Sequence, residues 1–473
     1  MSSFFDECVP DPENTLGGIK NDTDPPAPSV IMHMVKSLMP GQDLTRVTIP
    51  PFFLEPRSLL ERMADLMMHP DLLLGVAKLQ DPLGRMAAIL RWYLSGWHYK
   101  TTGVKKPYNP IVGETFACFW KHSDGSKSQY FAEQVGHRPP ISAIHLENRP
   151  NDFVLSSFVW TKSQFQAPQT TKSILDGGCL VTLTNISEDY FLTLPTFFAH
   201  NLLLGKLRME IGDSTTIICV KTGLRCDINF HQRTMFSDEK LTMVDATISK
   251  IGADGRSKGE TLCSFSGHWD SVIQQTFGAS VTPLMSGCAV GVEGLDVSSK
   301  GAPFIDVTKL HIAPKYTLPI NKMGPWESRR LWQFCTQELL KRPIVDWGLV
   351  DREKGQLEEE QRLLPCHQKE SSSDYVPWTT KKFHPSKIVD LTTGKERDFY
   401  IFDDKITTPY IPSPEEDARC FIKLSRDLPD QRGGIGNAGA VDTAVALMKT
   451  ISLSERRIKD RDSLRETSPR SSS

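Results

Sequence analysis

The chain has 473 residues, of which 39% are hydrophobic, and a formal net charge of −2. That length can bury one large core or a core with appendages, and large β-barrels often exceed the usual domain size. No overall basic field draws the protein to nucleic acid or anionic membrane, so any electrostatic attraction must be local. The 10 cysteines are scattered without a Cys-x-x-Cys pair, and the N-terminus lacks the basic and apolar regions of a signal peptide. Both features point to a reducing, cytoplasmic compartment. No apolar run approaches the roughly 20 residues needed to cross a bilayer, so membrane contact is expected to be peripheral.

In chain order, residues 1–28 are rich in Asp, Asn and Pro and are expected to be disordered, with 24–28 an extended linker. From Ser29, Val30, Ile31, Met34, Val35 and Leu38 recur at helical spacing until Pro40-Gly41, which predicts a short one-sided helix. A second helix is expected from Ser58 and Glu61, at capping-box spacing, through Leu59, Leu60, Met63, Leu66 and Met67 to Pro70. A third is expected near Met86 to Trp97. From there to about residue 275 the pattern turns to short runs rich in β-branched and aromatic residues, such as 153–161, 180–184, 190–194, 215–220, 241–249 and 261–266. Many short strands with little helix between them predict an antiparallel sheet that manages its edges by closing.

After residue 325 helices return. Leu331, Trp332, Cys335 and Leu339 mark one face of a helix over 327–340, and a charged helix is expected from about Asp351. The section to about 414 is mixed and proline-punctuated, and residues 415–473 read as a largely flexible extension holding a short apolar helix at 441–451.

Two runs carry candidate chemistry. Glu133-Gln134-Val135-Gly136-His137-Arg138-Pro139-Pro140 places a titratable imidazole and a planar guanidinium beside a rigid Pro-Pro, a combination suited to an anion. Lys105-Lys106-Pro107-Tyr108-Asn109-Pro110-Ile111-Val112-Gly113-Glu114 repeats the recipe of cations braced by prolines, upstream of a strand-like 115–120. On the charged helix, Lys354, Glu358 and Arg362 fall at i, i+4 and i+8 and so line one face. That spacing alone favours a solvated, salt-bridged surface helix.

Together the two runs resemble the signature segments of the oxysterol-binding-protein-related lipid-transfer family. Its signature reads Glu-Gln-Val-Ser-His-His-Pro-Pro and its upstream motif Lys-Pro-x-Asn-Pro-x-x-Gly-Glu. The upstream motif is intact here, whereas Gly136 stands for the serine and Arg138 for the second histidine. The resemblance spans roughly residues 29–410. It implies a mainly β fold: a large near-complete antiparallel β-barrel enclosing a lipid tunnel, with an N-terminal helical lid at about 29–42 and C-terminal helices, the lipid-binding domain running over 29–414. It further implies head-group binding by Lys106, Asn109, His137, Arg138, Lys354, Glu358 and Arg362, and lid or tunnel roles for Ile31, Val35, Leu38 and Ile49. The stretches 49–50, 54–58, 105–110 and 266–270 look closer to the branch that transfers phosphatidylserine than to the sterol branch, which adds Ser163 as a head-group candidate. The expected activity is exchange of phosphatidylserine for phosphatidylinositol 4-phosphate between membranes by a monomer, with sterol exchange or a lipid-sensing adaptor as alternatives. No catalytic residue, metal or cofactor is required.

Other signals are weaker. Phe4-Phe5 resembles the aromatic pair by which family members dock an endoplasmic-reticulum receptor, but lacks the acidic lead-in. Gly434, Gly436 and Gly439 match a dinucleotide-binding spacing, but no strand precedes them and no βαβ unit follows. Cys118 with His122 and Cys263 with His268 supply only two potential metal ligands each.

Overall fold

A computed structural model describes residues 2–11, 54–98, 106–137, 139–166, 170–200, 208–232, 241–252, 257–281, 303–324, 326–341, 345–366 and 382–403. The chain divides into a unit of Met1–Lys322 with Glu327–Thr407 and a second of Met323–Trp326 with Thr408–Ser473. The sheet and the helices packed on it belong to the first unit. The proposed lid helix over 29–42, Ile49 and the extension beyond 403 lie outside the described residues.

The helices are α1 (Ser2–Glu7), α2 (Leu59–Ala64), α3 (Pro82–Ser95), α4 (Ser328–Leu331), α5 (Gln333–Leu340) and α6 (Trp347–Cys366). The strands are β1 (Val9–Pro10), β2 (Leu54–Ser58), β3 (Lys106–Tyr108), β4 (Thr115–Lys121), β5 (Lys127–His137), β6 (Pro140–Asn148), β7 (Phe153–Gln166), β8 (Thr170–Leu183), β9 (Glu188–Leu192), β10 (Thr196–His200), β11 (Arg208–Cys219), β12 (Leu224–Phe230), β13 (Met243–Ile251), β14 (Lys258–His268), β15 (Val272–Gly278), β16 (Ile305–Asp306), β17 (Lys315–Thr317), β18 (Phe383–Asp390) and β19 (Lys395–Phe402).

Fifteen strands form one antiparallel sheet in the order β1-β17-β4-β5-β6-β7-β8-β10-β11-β12-β13-β14-β15-β16, with β9 against β8 and β11. Most strands pair with their sequence neighbour, because short turns close antiparallel ladders at little entropic cost. No pairing among the described residues joins β1 to β16, so the large antiparallel sheet is not closed across that seam. The fold is mainly β, as the run pattern predicts. The strands run longer than their apolar runs: β7 and β8 pair in unbroken register from Phe153↔Leu183 to Gln166↔Thr170. Backbone pairing carried them through polar residues that the hydrophobic pattern could not mark.

The main core joins the helical segment after β2 to the inner face of the sheet, with Leu60, Met63, Leu90 and Trp97 against Tyr130, Ile144, Leu155, Ile217 and Phe265. Ser58 caps α2 by accepting from the Leu60 amide (3.4 Å), and Asp81 caps α3 by accepting from Gly84 (2.8 Å). Glu61 makes no capping box. It is buried in an ion network instead. The expected helix over 327–340 is broken at Trp332 into α4 and α5, while Leu331, Trp332, Cys335 and Leu339 are all buried as the periodicity requires.

The expectation that residues 1–28 are disordered fails for residues 2–11. After α1, β1 adds to the sheet through Val9↔Thr317 and Pro10↔Tyr316. Phe5 packs edge-on to Phe119 at 5.1 Å, with the Lys127 ammonium 4.2 Å above its ring. Asp11 accepts from Arg329 Nη1 (3.0 Å) and Nη2 (2.8 Å) and pairs with Lys315 (3.2 Å). Composition counted the polar residues of this segment but could not see the partners waiting for them. Phe4 and Phe5 are thus part of the fold, so a receptor reading them in extended form must first detach the segment.

Candidate functional site

Tyr108 fixes the upstream motif from below. Its ring stacks on Trp332 at 4.5 Å and 15°, and its hydroxyl lies 3.1 Å from Thr336 Oγ1. Gly113 turns the chain at φ +82°, a conformation that costs a side-chain-bearing residue strain. Glu114, fully buried, gathers the loop: it accepts from the Ile111 amide (3.0 Å), Ser328 Oγ (2.6 Å) and Trp332 Nε1 (2.9 Å). Burial still pushes its pKa above the usual carboxyl value, with Ser328, Ser58, Ile111 and Trp332 opposing.

The two motif runs touch. Gly113 N–H donates to Gln134 O and Gln134 N–H to Glu114 O, each at 2.9 Å, so the signature strand β5 holds the loop that follows Lys106 on β3 and carries Asn109. Strand alternation then divides the signature between two jobs. On the outer face, Val135 packs with Phe131 and the β18–β19 hairpin, and Glu133 accepts from the Lys382 amide at 2.9 Å. Between them, Gln134 receives Ser142 Oγ at 2.6 Å and donates to Gly136 O at 2.9 Å across a bulge in the β5–β6 register. Half of the signature is therefore scaffold. His137 ends β5, half-buried, beside Gly136. A side chain at Gly136 would place its Cβ 2.9 Å from Pro139 O, so the glycine matches a tight return of the chain.

Lys106, Lys354 and Glu358 are brought together although 248 residues separate the first two. Lys354 Nζ lies 2.7 Å from Glu358 Oε1 on α6. Lys106 has its pKa held below the usual lysine value, first by burial and then by the Lys354 charge, with Glu358 opposing. Lys106 nonetheless keeps solvent access. Two ammonium groups and one carboxylate lie near one another there, with Glu358 paired to Lys354, so a bound anion would complete the charge balance.

Asn109 is exposed on the same loop. Ser163 sits apart on β7, where its hydroxyl meets that of Ser173 at 3.3 Å. Val159, Thr161 and Ser163 share one face of β7, and Val159 belongs to the main core, so Ser163 faces the interior. Arg362 lies in α6 by its backbone. Arg138, the Arg362 side chain, Ile31, Val35, Leu38 and Ile49 lie outside the described residues. The sequence reading missed Tyr108, Glu114 and Gln134 as positioning residues. The signal available was a carboxylate and an amide flanked by residues destined for burial.

Residues 30–338 match the family described as Oxysterol-binding protein. Oxysterol-binding protein-related protein 5 of Homo sapiens is 36% identical over 362 residues, covering 76% of this chain and 38% of that protein. Human oxysterol-binding protein-related protein 8 is 33% identical over 385 residues, covering 81% of this chain and 39% of that one. An oxysterol-binding protein homolog of Schizosaccharomyces pombe is 34% identical, covering 78% of this chain and 74% of its own length. The chain thus spans less than half the length of the two human relatives. Among solved structures, the Osh1 ORD domain in complex with ergosterol superposes with a TM-score of 0.62 at 22% identity, covering 85% of this chain and 92% of that one. The Osh3 ORD in complex with PI(4)P gives 0.53 at 16% identity, covering 90% and 99%. Extent of match and shared architecture agree: this chain belongs to the oxysterol-binding protein family.

Proposed function

We propose that this chain binds one phospholipid at a time, its head group on Lys106, Lys354 and Glu358 and its tails inside the sheet, and exchanges phosphatidylserine for phosphatidylinositol 4-phosphate between membranes. The observation that carries the reading is Lys106 on β3 placed near enough to α6 to feel the Lys354 and Glu358 charges, where the 2.7 Å Lys354–Glu358 pair leaves one cation in excess that a phosphate or phosphoserine group would neutralise. Asn109 supplies a neutral amide just after β3, and His137 at the end of β5, with Arg138 as the family resemblance implies, is a further candidate. Ser163, facing the interior from β7, is the remaining head-group candidate. Arg362, and Ile31, Val35, Leu38 and Ile49 for the lid side, are further candidates that the family resemblance implies. Relatives named as related proteins 5 and 8 and a structural neighbour solved with PI(4)P support the lipid class.

The two lipids compete for one place, so a gradient of one drives the other without any covalent step. The domain is read as residues 29–414 together with the docked segment 2–11, acting peripherally at membranes. Sterol is the second reading, supported by the fold shared with an ORD solved with ergosterol and with cholesterol.

The test is native mass spectrometry after incubation with vesicles holding phosphatidylserine, phosphatidylinositol 4-phosphate and sterol together. Either phospholipid at one per chain, displaced by the other, supports the proposal. Sterol alone moves the chain to the second reading, and saturable binding without vesicle-to-vesicle transfer makes it a sensor.

A further inference from the structure

Two of the exposed large apolar side chains flank one connection. Leu340, the last residue of α5, is 46% exposed, and Trp347, the first of α6, is 37% exposed. The two helices are held to each other beside them, by the Asp346 amide donating to Glu338 Oε1 at 3.0 Å and the Cys335 thiol approaching Val350 O at 3.9 Å. Asp346 also caps α6 by accepting from the Leu349 amide at 3.0 Å. Position and orientation of the Trp347 backbone are therefore well determined.

Helical spacing relates this edge to the head-group cations. Val350 and Leu357 are buried and anchor α6. Trp347, Lys354 and Glu358 follow at i, i+7 and i+11 along a neighbouring stripe, which puts Trp347 roughly 10 Å along the axis from Lys354. An apolar edge thus lies on the same side of α6 as the charge cluster, about two turns away. Lys341 stands beside Leu340, mostly exposed although paired with Glu338.

We propose that Leu340 and Trp347 form a bilayer-inserting rim beside the head-group site, with Lys341 facing the anionic head groups. This rests on the lipid-transfer reading above. A lipid whose head group is to reach Lys106 and Lys354 must leave the bilayer without its tails crossing water, so the surface next to that site touches the membrane while the lipid moves. Tryptophan suits this depth because its ring is apolar with one polar edge, and leucine inserts below it. The adjoining lysine adds attraction to an anionic leaflet.

Flotation of the full chain with phosphatidylcholine vesicles doped with phosphatidylserine tests the rim, using Trp347→Ala, Leu340→Asp and, as a control, Val220→Asp. Val220 is 61% exposed, just after β11. A short-chain, water-soluble phosphatidylserine is titrated in parallel, and thermal unfolding checks that each variant is folded. The expected result is a severalfold loss of vesicle-bound protein for Trp347→Ala and for Leu340→Asp, unchanged affinity for the short-chain lipid, and wild-type behaviour of Val220→Asp. Wild-type flotation of both rim variants overturns the proposal, as does an equal loss in Val220→Asp. A wild-type dimer that Leu340→Asp dissolves would give the surface to a second copy of the chain instead. Failure of the wild type to bind the short-chain lipid would count against the head-group reading, while the flotation comparison still decides the rim.

Discussion

Two groups of charges in this molecule use the same residue types to opposite effect. Around Arg329, the buried carboxylates of Asp11 and Glu61 are matched by buried Lys315 and half-buried Arg329, with Arg329 Nη2 2.6 Å from Glu61 Oε1 and 2.8 Å from Asp11 Oδ2. Asp65 joins the edge of this network through Arg57 and Arg62, both at 2.8 Å. Near Lys106, which is exposed, Glu358 is paired with Lys354 and Lys106 adds a second positive charge. The first group is complete and can only be damaged. The second is incomplete, and a ligand would complete it. A buried charge cluster is thus read as scaffold or site by its balance and its access, not by its residue types.

The largest effect is expected from Arg329→Met, which leaves Asp11 and Glu61 buried without their main partner. Chemical denaturation should show a loss of about 3–5 kcal/mol. Acid sharpens the same point. Burial pushes the Glu61 carboxyl up, but Arg329 and Lys315 pull it further down, so its folded pKa lies below its usual 4.5. Its contribution is therefore present above about pH 4.5 and is lost as pH falls through the lower folded value. Stability of the wild type should drop over that acid range, and the drop should shrink in Arg329→Met. Equal acid sensitivity of the two proteins would remove Glu61 from the balance.

Next in size, Lys106→Ala and Lys354→Ala should each weaken phosphoinositide binding roughly 10-fold or more with little change in stability, measured by titration and thermal unfolding. Loss of stability comparable to Arg329→Met would place Lys106 with the scaffold. Because the Lys106 pKa is lowered, its share of anion binding should fade at a lower pH than an ordinary lysine's. Lys354→Met removes a like charge and should move that fading upward, which a pH series of binding constants reads directly. The smallest effect concerns Gly136→Ser, which restores the family residue. Its Cβ would crowd Pro139 O, so a destabilisation of about 1 kcal/mol is expected. No change would mean that the β5–β6 return relaxes freely.

The same contrast explains what could be read in advance. Lys106, Lys354 and Glu358 were legible only through motif resemblance, because a helix with cations at i and i+8 around a carboxylate looks solvated until something is packed against it. Glu61 read as a capping residue because Ser58 stood three positions before it, yet tertiary ion pairing outweighed the local bond. Phe4, Phe5 and Asp11 sat in a segment whose composition argued against order, and only Phe119, Lys315 and Arg329, far away in sequence, gave them partners. The β18–β19 hairpin was invisible for the same reason: its apolar residues find Phe131, Phe158 and His145 on the outside of the sheet, a surface that does not exist until the sheet has formed.

The sequence by itself determined the class of the fold, the helix from Ser58 and the existence of one near Met86, the alternation of the strands and the two motif runs, because these depend on neighbours within a few residues. Only the tertiary structure decided that Gln134 would hold the Lys106 loop, that Glu133 would face outward to the hairpin, and that residues 2–11 would become an edge strand. Those outcomes depend on which distant groups share a desolvated place, and the free energy of burying a charge or an amide is set by that partner and not by the residue that carries it.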